Sequence, residues 1–243
     1  MNRISRELVK ELAPQGILRA GINMSNFLLV SETRSNGEIN GVSPQMAAAI
    51  AAELSVELQL TQYQGPGDVA DAAQTNGWDI ANIAAEAERA KFISFSPAYC
   101  EIQATYLVPP GSAIKTLEDV DQPGVRIAVK ERAAYDLWLK ENLKHATLLR
   151  APSLDDSFTL FQDEGLEVLA GLRPKLIEQQ ALMPGSVLFD KSFTAVQQSI
   201  GCQIGKPLAA AYLKDFVNRS KQSGLVSSLI DQFGVQGRLS VAP

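Results

Sequence analysis

The stretch from Trp78 to Tyr99 constrains the fold more than any other part of the chain. Residues 78–84 form a mostly apolar run with Asp79 and Asn82 as its polar members, which reads as a buried strand. A polar turn follows, carrying Glu86, Glu88, Arg89 and Lys91. Next come a short apolar return over residues 92–95 and a stop at Ser96 and Pro97. A strand buried on both faces must be covered by helices, and the preceding residues supply them. Residues 17–22 read as a strand. Ser43 is the expected N-cap of a helix with Pro44 in its first position, and Met46, Ile50 and Leu54 share one face of it. Residues 56–60 alternate as a strand. A turn over residues 65–68 then leads Asp68 to cap a short helix that ends at Asn76 and Gly77. The order β-α-β-α-β predicts a mostly parallel sheet flanked by helices.

A second unit of the same grammar begins after Tyr99. Residues 102–108 are a strand ended by Pro109 and Pro110. Thr116 with Asp119 three residues on is a helix-start signature. Strands are expected over residues 123–129, 147–149 and 167–171, with helices from Asp136, from the Ser153 cap and from Pro174. Residues 197–204 lead back as a strand, Pro207 opens an apolar helix, and residues 225–233 form a terminal one.

Composition excludes several function classes. The 243 residues carry 22 basic and 27 acidic side chains, a net charge of −5, with no block of like charge, which argues against a nucleic-acid or anionic-membrane surface. Two cysteines, Cys100 and Cys202, permit one disulfide or two buried thiols. His145, the sole histidine, reads as a surface or packing residue. The sequence has no metal-ligand spacing, so neither a metal nor a cofactor is expected. Residues 1–11 space Ile4, Leu8 and Leu12 against charges as an amphipathic helix, without the apolar core of a secretory signal.

Asp79, Arg89, Phe95, Ser96, Pro97 and Tyr99 fall on a pattern in which this sequence resembles the family 3 solute-binding proteins, the amino-acid-type receptors of ABC transporters. Residues 116–129 resemble a second segment of that family, and the resemblance runs over roughly residues 16–235. It implies an α/β fold of two lobes, each a mostly parallel sheet flanked by helices, joined by a hinge of two crossing strands. Residues 1–99 with 201–243 would form one lobe and residues 100–200 the other.

The resemblance also proposes site residues. Arg89 would grip a ligand carboxylate, a task suited to the planar guanidinium fork; taken alone, the turn around it also reads as solvated and self-paired. Asn82 and Ala84 take the places of ligand-bonding residues, although Asn82 equally suits a sheet end and Ala84 offers no side-chain bond. Asn26 and Phe27 lie in a ligand-facing loop. Lys130, Ala134 and Tyr135, with Arg132 and Ala133, occupy a second anion site at a helix start, or else a solvated cap. Glu101, Gln197 and Gln198 are hinge polars that line the cleft or bond between strands. Tyr99 and Phe27 stack on a ligand or join the core. Glu167 takes an acidic place in the family pattern. Leu172, followed by Arg173, takes the place of the aspartate that holds a ligand's α-ammonium.

The implied function is capture of a small carboxylate-bearing solute by hinge closure and delivery to an ABC permease. The implied protein is a monomer without catalytic residues, periplasmic by resemblance. A dehydratase-like enzyme using Glu101 or Glu86, and a non-exported ligand sensor, are the alternatives.

Overall fold

A computed structural model describes residues 4–33 and 35–243. In chain order the elements are α1 (Arg6–Leu12), β1 (Ile17–Asn23), β2 (Glu32–Thr33), β3 (Ile39–Asn40), α2 (Val42–Leu54), β4 (Glu57–Tyr63), α3 (Pro66–Ala72), β5 (Ile80–Ala84), β6 (Ile93–Phe95) and β7 (Cys100–Val108). There follow β8 (Arg126–Lys130), α4 (Ala134–Asn142), β9 (Thr147–Ala151), α5 (Leu154–Asp163), β10 (Val168–Leu172), α6 (Arg173–Ala181) and β11 (Val187–Leu188). The chain ends with β12 (Thr194–Gln203), α7 (Pro207–Gln222), α8 (Leu225–Gln232) and β13 (Ser240–Val241). The α/β class expected from the alternation is observed. The chain divides into two compact units: one holds the residues up to Glu101 together with Gln197–Pro243, the other Ile102–Val196.

In the first unit β1 is the middle strand. It runs parallel to β4, with Ala20 opposite Leu60, and parallel to β5, with Ala20 opposite Ile80. β5 then pairs antiparallel with β12, and β6 does the same further along β12. All five residues of β5 are buried, as its apolar run requires. Trp78, which leads into it, is fully buried and donates its Nε1–H to the Val69 carbonyl at 2.8 Å, tying α3 to the strand. α1 forms as its spacing predicts, with Ser5 capping and Leu8 and Leu12 buried; residues 1–3 of the expected helix lie outside the described residues.

Two caps differ from expectation. α2 begins one residue before Ser43, and its N-cap is Gly41 at φ 148°. The cause is close approach: a Cβ on Gly41 would collide with the Leu29 carbonyl and lie 2.9 Å from Cα of Val30. Ser43 is thereby carried into the helix, where its hydroxyl is buried. At α3 the N-cap is Gly65, and Asp68 acts from the third helical position, accepting from the Gly65 N–H at 3.0 Å.

The second unit repeats the parallel arrangement. β8 lies between β9 and β10, parallel to both, and β10 also pairs antiparallel with β7, as does β11. Leu107, Ala128, Phe158, Phe161, Leu166, Leu169 and Leu176 make its core. Ser153 caps α5 as predicted, accepting from Asp156 at 3.0 Å. Thr116 and Asp119 do form a capping box, but over a single 3-10 turn rather than a helix. The cysteines resolve as two buried free thiols.

Each unit has its own arginine pin at the head of a strand pair. Arg19 at the start of β1 gives its backbone N–H and Nε to Asp79 Oδ2, both at 3.0 Å, and Nη2 to Oδ1 at 2.8 Å. Arg126 at the start of β8 does the same with Glu167 just before β10, at 2.9, 2.9 and 2.8 Å. One carboxylate thus fixes backbone register and side chain together.

Candidate functional site

The proposed residues of the first unit sit where its parallel strands end. β1 and β5 run side by side with Ile22 opposite Asn82. The loop with Asn26 and Phe27 follows the first strand, and the turn with Arg89 follows the second. Carboxyl ends of parallel strands are where open α/β sheets bind ligands.

Arg89 opens a 3-10 turn and is itself only 4% exposed, whereas Ala87, Ala90 and Lys91 around it are exposed. Its Nη1 donates to the Ala84 carbonyl at 2.9 Å, which folds the turn back on the last residue of β5. A buried guanidinium stays charged and favours anionic company. Asn82 lies one pleat earlier on the same face of β5 as Ala84. It is buried, and its Nδ2 donates to the Ser43 carbonyl in α2 at 3.2 Å. The Ser43 hydroxyl is 3.1 Å from the Tyr99 hydroxyl. Tyr99 is fully buried, so it belongs to the core. Burial drives its hydroxyl far above the ordinary phenol range, so it stays neutral.

Asn26 is buried and shapes its own loop: Oδ1 accepts from the Leu28 N–H at 3.3 Å, and its carbonyl accepts from Leu29 and Val30. Phe27 beside it is half-buried. Glu101 Oε2 accepts from Gln197 Nε2 at 2.8 Å, which favours the inter-strand reading of these two, and Gln198 is buried on β12.

In the second unit β8 and β10 also end side by side. Lys130 closes β8; it is buried and its Nζ donates to the Glu131 carbonyl at 3.0 Å. Arg132 takes the left-handed conformation at φ 57°, and its backbone N–H donates to Asp136 Oδ2 at 2.8 Å. Asp136 also pairs with Arg150 at 2.9 Å. The start of α4, with Ala133 as N-cap and Ala134 and Tyr135 as its first residues, therefore already holds an internal carboxylate. Spacing alone does not disclose Asp136 and Arg150, because the strand that carries Arg150 lies 14 residues away. Arg173, after β10, is committed within the unit. Nε donates to Gln103 Oε1 at 2.8 Å, and Nη2 donates to the Asp190 carbonyl at 2.6 Å and to Ser192 Oγ at 3.3 Å. Leu172 is buried and supplies no acceptor.

The structure thus brings Arg89, Ala84 and Asn82 together on one strand end, with Ser43 and Tyr99 behind them, and holds Lys130, Ala134 and Tyr135 at one turn of the other unit. Among the described residues no cluster of three or more His, Cys, Asp or Glu side chains forms a metal site. No helix among them is long and apolar enough to cross a membrane.

Comparison with known proteins agrees with this architecture. The family described as bacterial extracellular solute-binding proteins, family 3, matches residues 18–236. The ABC transporter glutamine-binding protein GlnH of Bacillus subtilis is 23% identical over 215 residues, covering 84% of this chain and 76% of that protein. A putative ABC-transporter binding component from Wolinella succinogenes, solved in complex with lysine, superposes with a TM-score of 0.74 at 20% identity, covering 92% of this chain and 97% of its own. The ancestral amino acid-binding protein AncCDT-1, a precursor of cyclohexadienyl dehydratase, gives 0.73 at 24% identity, covering 93% and 98%. The likeness to these two structures is one of fold, whereas the family match runs nearly end to end: this chain belongs to the bacterial extracellular solute-binding proteins of family 3.

Proposed function

We infer that the chain is the solute-capturing component of an ABC uptake system, working outside the cytoplasm and delivering its cargo to a permease. It takes a small carboxylate-bearing solute between its two units, which close about the two strands that join them. The observation that carries this reading is Arg89, a buried guanidinium fastened at the carboxyl end of a fully buried central strand. GlnH and the lysine-bound Wolinella protein support an amino-acid-like solute.

The second unit qualifies that class. Leu172 offers no acid for an α-ammonium, and Arg173 is folded onto Gln103, Asp190 and Ser192. An α-amino acid is therefore not held here by an aspartate at this place. A binding role fits better than catalysis, since Glu101 is hydrogen-bonded by Gln197.

Isothermal calorimetry with Arg89→Ala tests the reading. Loss of the guanidinium should weaken carboxylate binding by about 2–5 kcal/mol, the usual effect of truncating one partner of a buried charge pair. Unchanged affinity would remove Arg89 from the site.

A further inference from the structure

The chain leaves the first unit between Glu101 and Ile102, and β13 ends its pairing at that crossing. β13 has only two residues. They pair antiparallel with the first two of β7, Ser240 opposite Glu101 and Val241 opposite Cys100. The Ala242 N–H extends the ladder by donating to the Tyr99 carbonyl at 3.2 Å. The segment is tied down at both ends. Leu239 and Ala242 are buried, and the Leu239 N–H donates to the Val235 carbonyl at 3.0 Å. Beyond them Lys221 Nζ donates to the Pro243 carbonyl at 2.8 Å.

β12 holds the same stretch of β7. The Tyr99 N–H donates to the Gln198 carbonyl at 2.9 Å, and Gln197 Nε2 donates to Glu101 Oε2 at 2.8 Å. Residues 99–101 are thus the middle of three strands, all of them in the first unit. The next ladder on β7 is the one with β10. It begins at Ala104, opposite Leu172, inside the second unit. Ile102 and Gln103 lie between the two ladders and are flanked by neither β13 nor β10.

This pattern has a mechanical meaning. A change of φ and ψ at a residue bonded on both edges breaks backbone hydrogen bonds, and a third strand also restrains twist that a narrower ribbon accommodates. Hinge rotation therefore concentrates in the few residues that lack the third strand. Without β13 the pliable stretch would begin at Tyr99 instead of Ile102.

We propose that β13 is a brace on the joint between the two units. It confines the bending of β7 to Ile102 and Gln103, and so limits the range of arrangements that the solute-free protein explores. A narrower range before binding leaves less conformational freedom to lose on binding, so the brace favours capture. This rests on the closure reading above and adds the element that governs it.

The test is an electron paramagnetic resonance distance measurement on the full, solute-free chain. One spin label goes on each unit at an exposed lysine, through Lys214→Cys and Lys140→Cys, the native thiols being buried. Ala242→Pro removes the N–H that bonds Tyr99. Ser240→Pro is the second variant. Its N–H faces the same strand edge as that of Ala242, and the position is exposed, so the ring stays out of the core. Val241→Thr, also at an exposed position, keeps the ladder and serves as the control. Each proline variant should broaden the distance distribution between the units about twofold, while Val241→Thr leaves it unchanged. If Ala242→Pro does not fold, Ser240→Pro decides. An unchanged width in a folded proline variant overturns the brace, as does equal broadening in Val241→Thr. Closure itself is judged separately: a wild-type radius of gyration that ignores a saturating carboxylate sinks that reading, whatever widths the proline variants give.

Discussion

Glu167 shows how one carboxylate serves the sheet. The resemblance gives it an acidic place in the family pattern, and its carboxylate bonds the Arg126 side chain and backbone. The hydrogen bond from Arg126 holds its pKa below the usual 4.5. A depressed carboxylate stabilises the fold above its ordinary value, and that contribution is lost as the pH falls through the folded-state value. Glu167→Gln should therefore lower Tm near neutral pH, and the gap from wild type should close as the pH falls below 4.5. Thermal melts from pH 7 down to 3 measure it; a gap that widens on acidification contradicts the pin. The thiols make a second case. Burial raises Cys100, and pushes Cys202 up to about 11, so neither is an active thiolate at pH 8. Ellman's reagent should label neither in the native protein and both after denaturation. The types of these residues are plain in the sequence, but their partners are not. Arg19 meets Asp79 across 60 positions and Tyr99 meets Ser43 across 56, and no local rule reaches that far.

Among the elements, the strands and most helices were readable because period and punctuation agree. The apolar run of β5 and the Ser153 cap of α5 are examples. The start of α2 was not readable. Ser43 followed by Pro44 has better capping grammar than Gly41, and only the backbone around Leu29, packed against the glycine, decides otherwise. Gly41→Ala should be destabilising by about 1–3 kcal/mol from backbone strain, with the collision added. Urea denaturation measures this, and a neutral result would mean that the Leu29 loop yields. For the candidate site, Arg89 and Asn82 stood out in the sequence. The occupation of the α4 start by Asp136 did not, because it depends on Arg150 from β9.

At the scale of the molecule, two units joined by two passages of chain suit a closure mechanism. Small-angle scattering should give a smaller radius of gyration once a bound carboxylate saturates the protein. An unchanged radius at proven saturation would count against closure. The connectivity of the units has a different consequence, for how the chain is made. The second unit is one continuous segment, Ile102–Val196, whereas the first is completed by Gln197–Pro243. β5 waits more than a hundred residues for its neighbour β12, and α2 waits longer still for α8. On a ribosome the later-starting unit is thus the first to have all its parts, and domains fold as units once they are whole. Until then the edge of β5 that β12 covers and the face of α2 that α8 covers stay open in the nascent chain, a window in which a chaperone has something to hold.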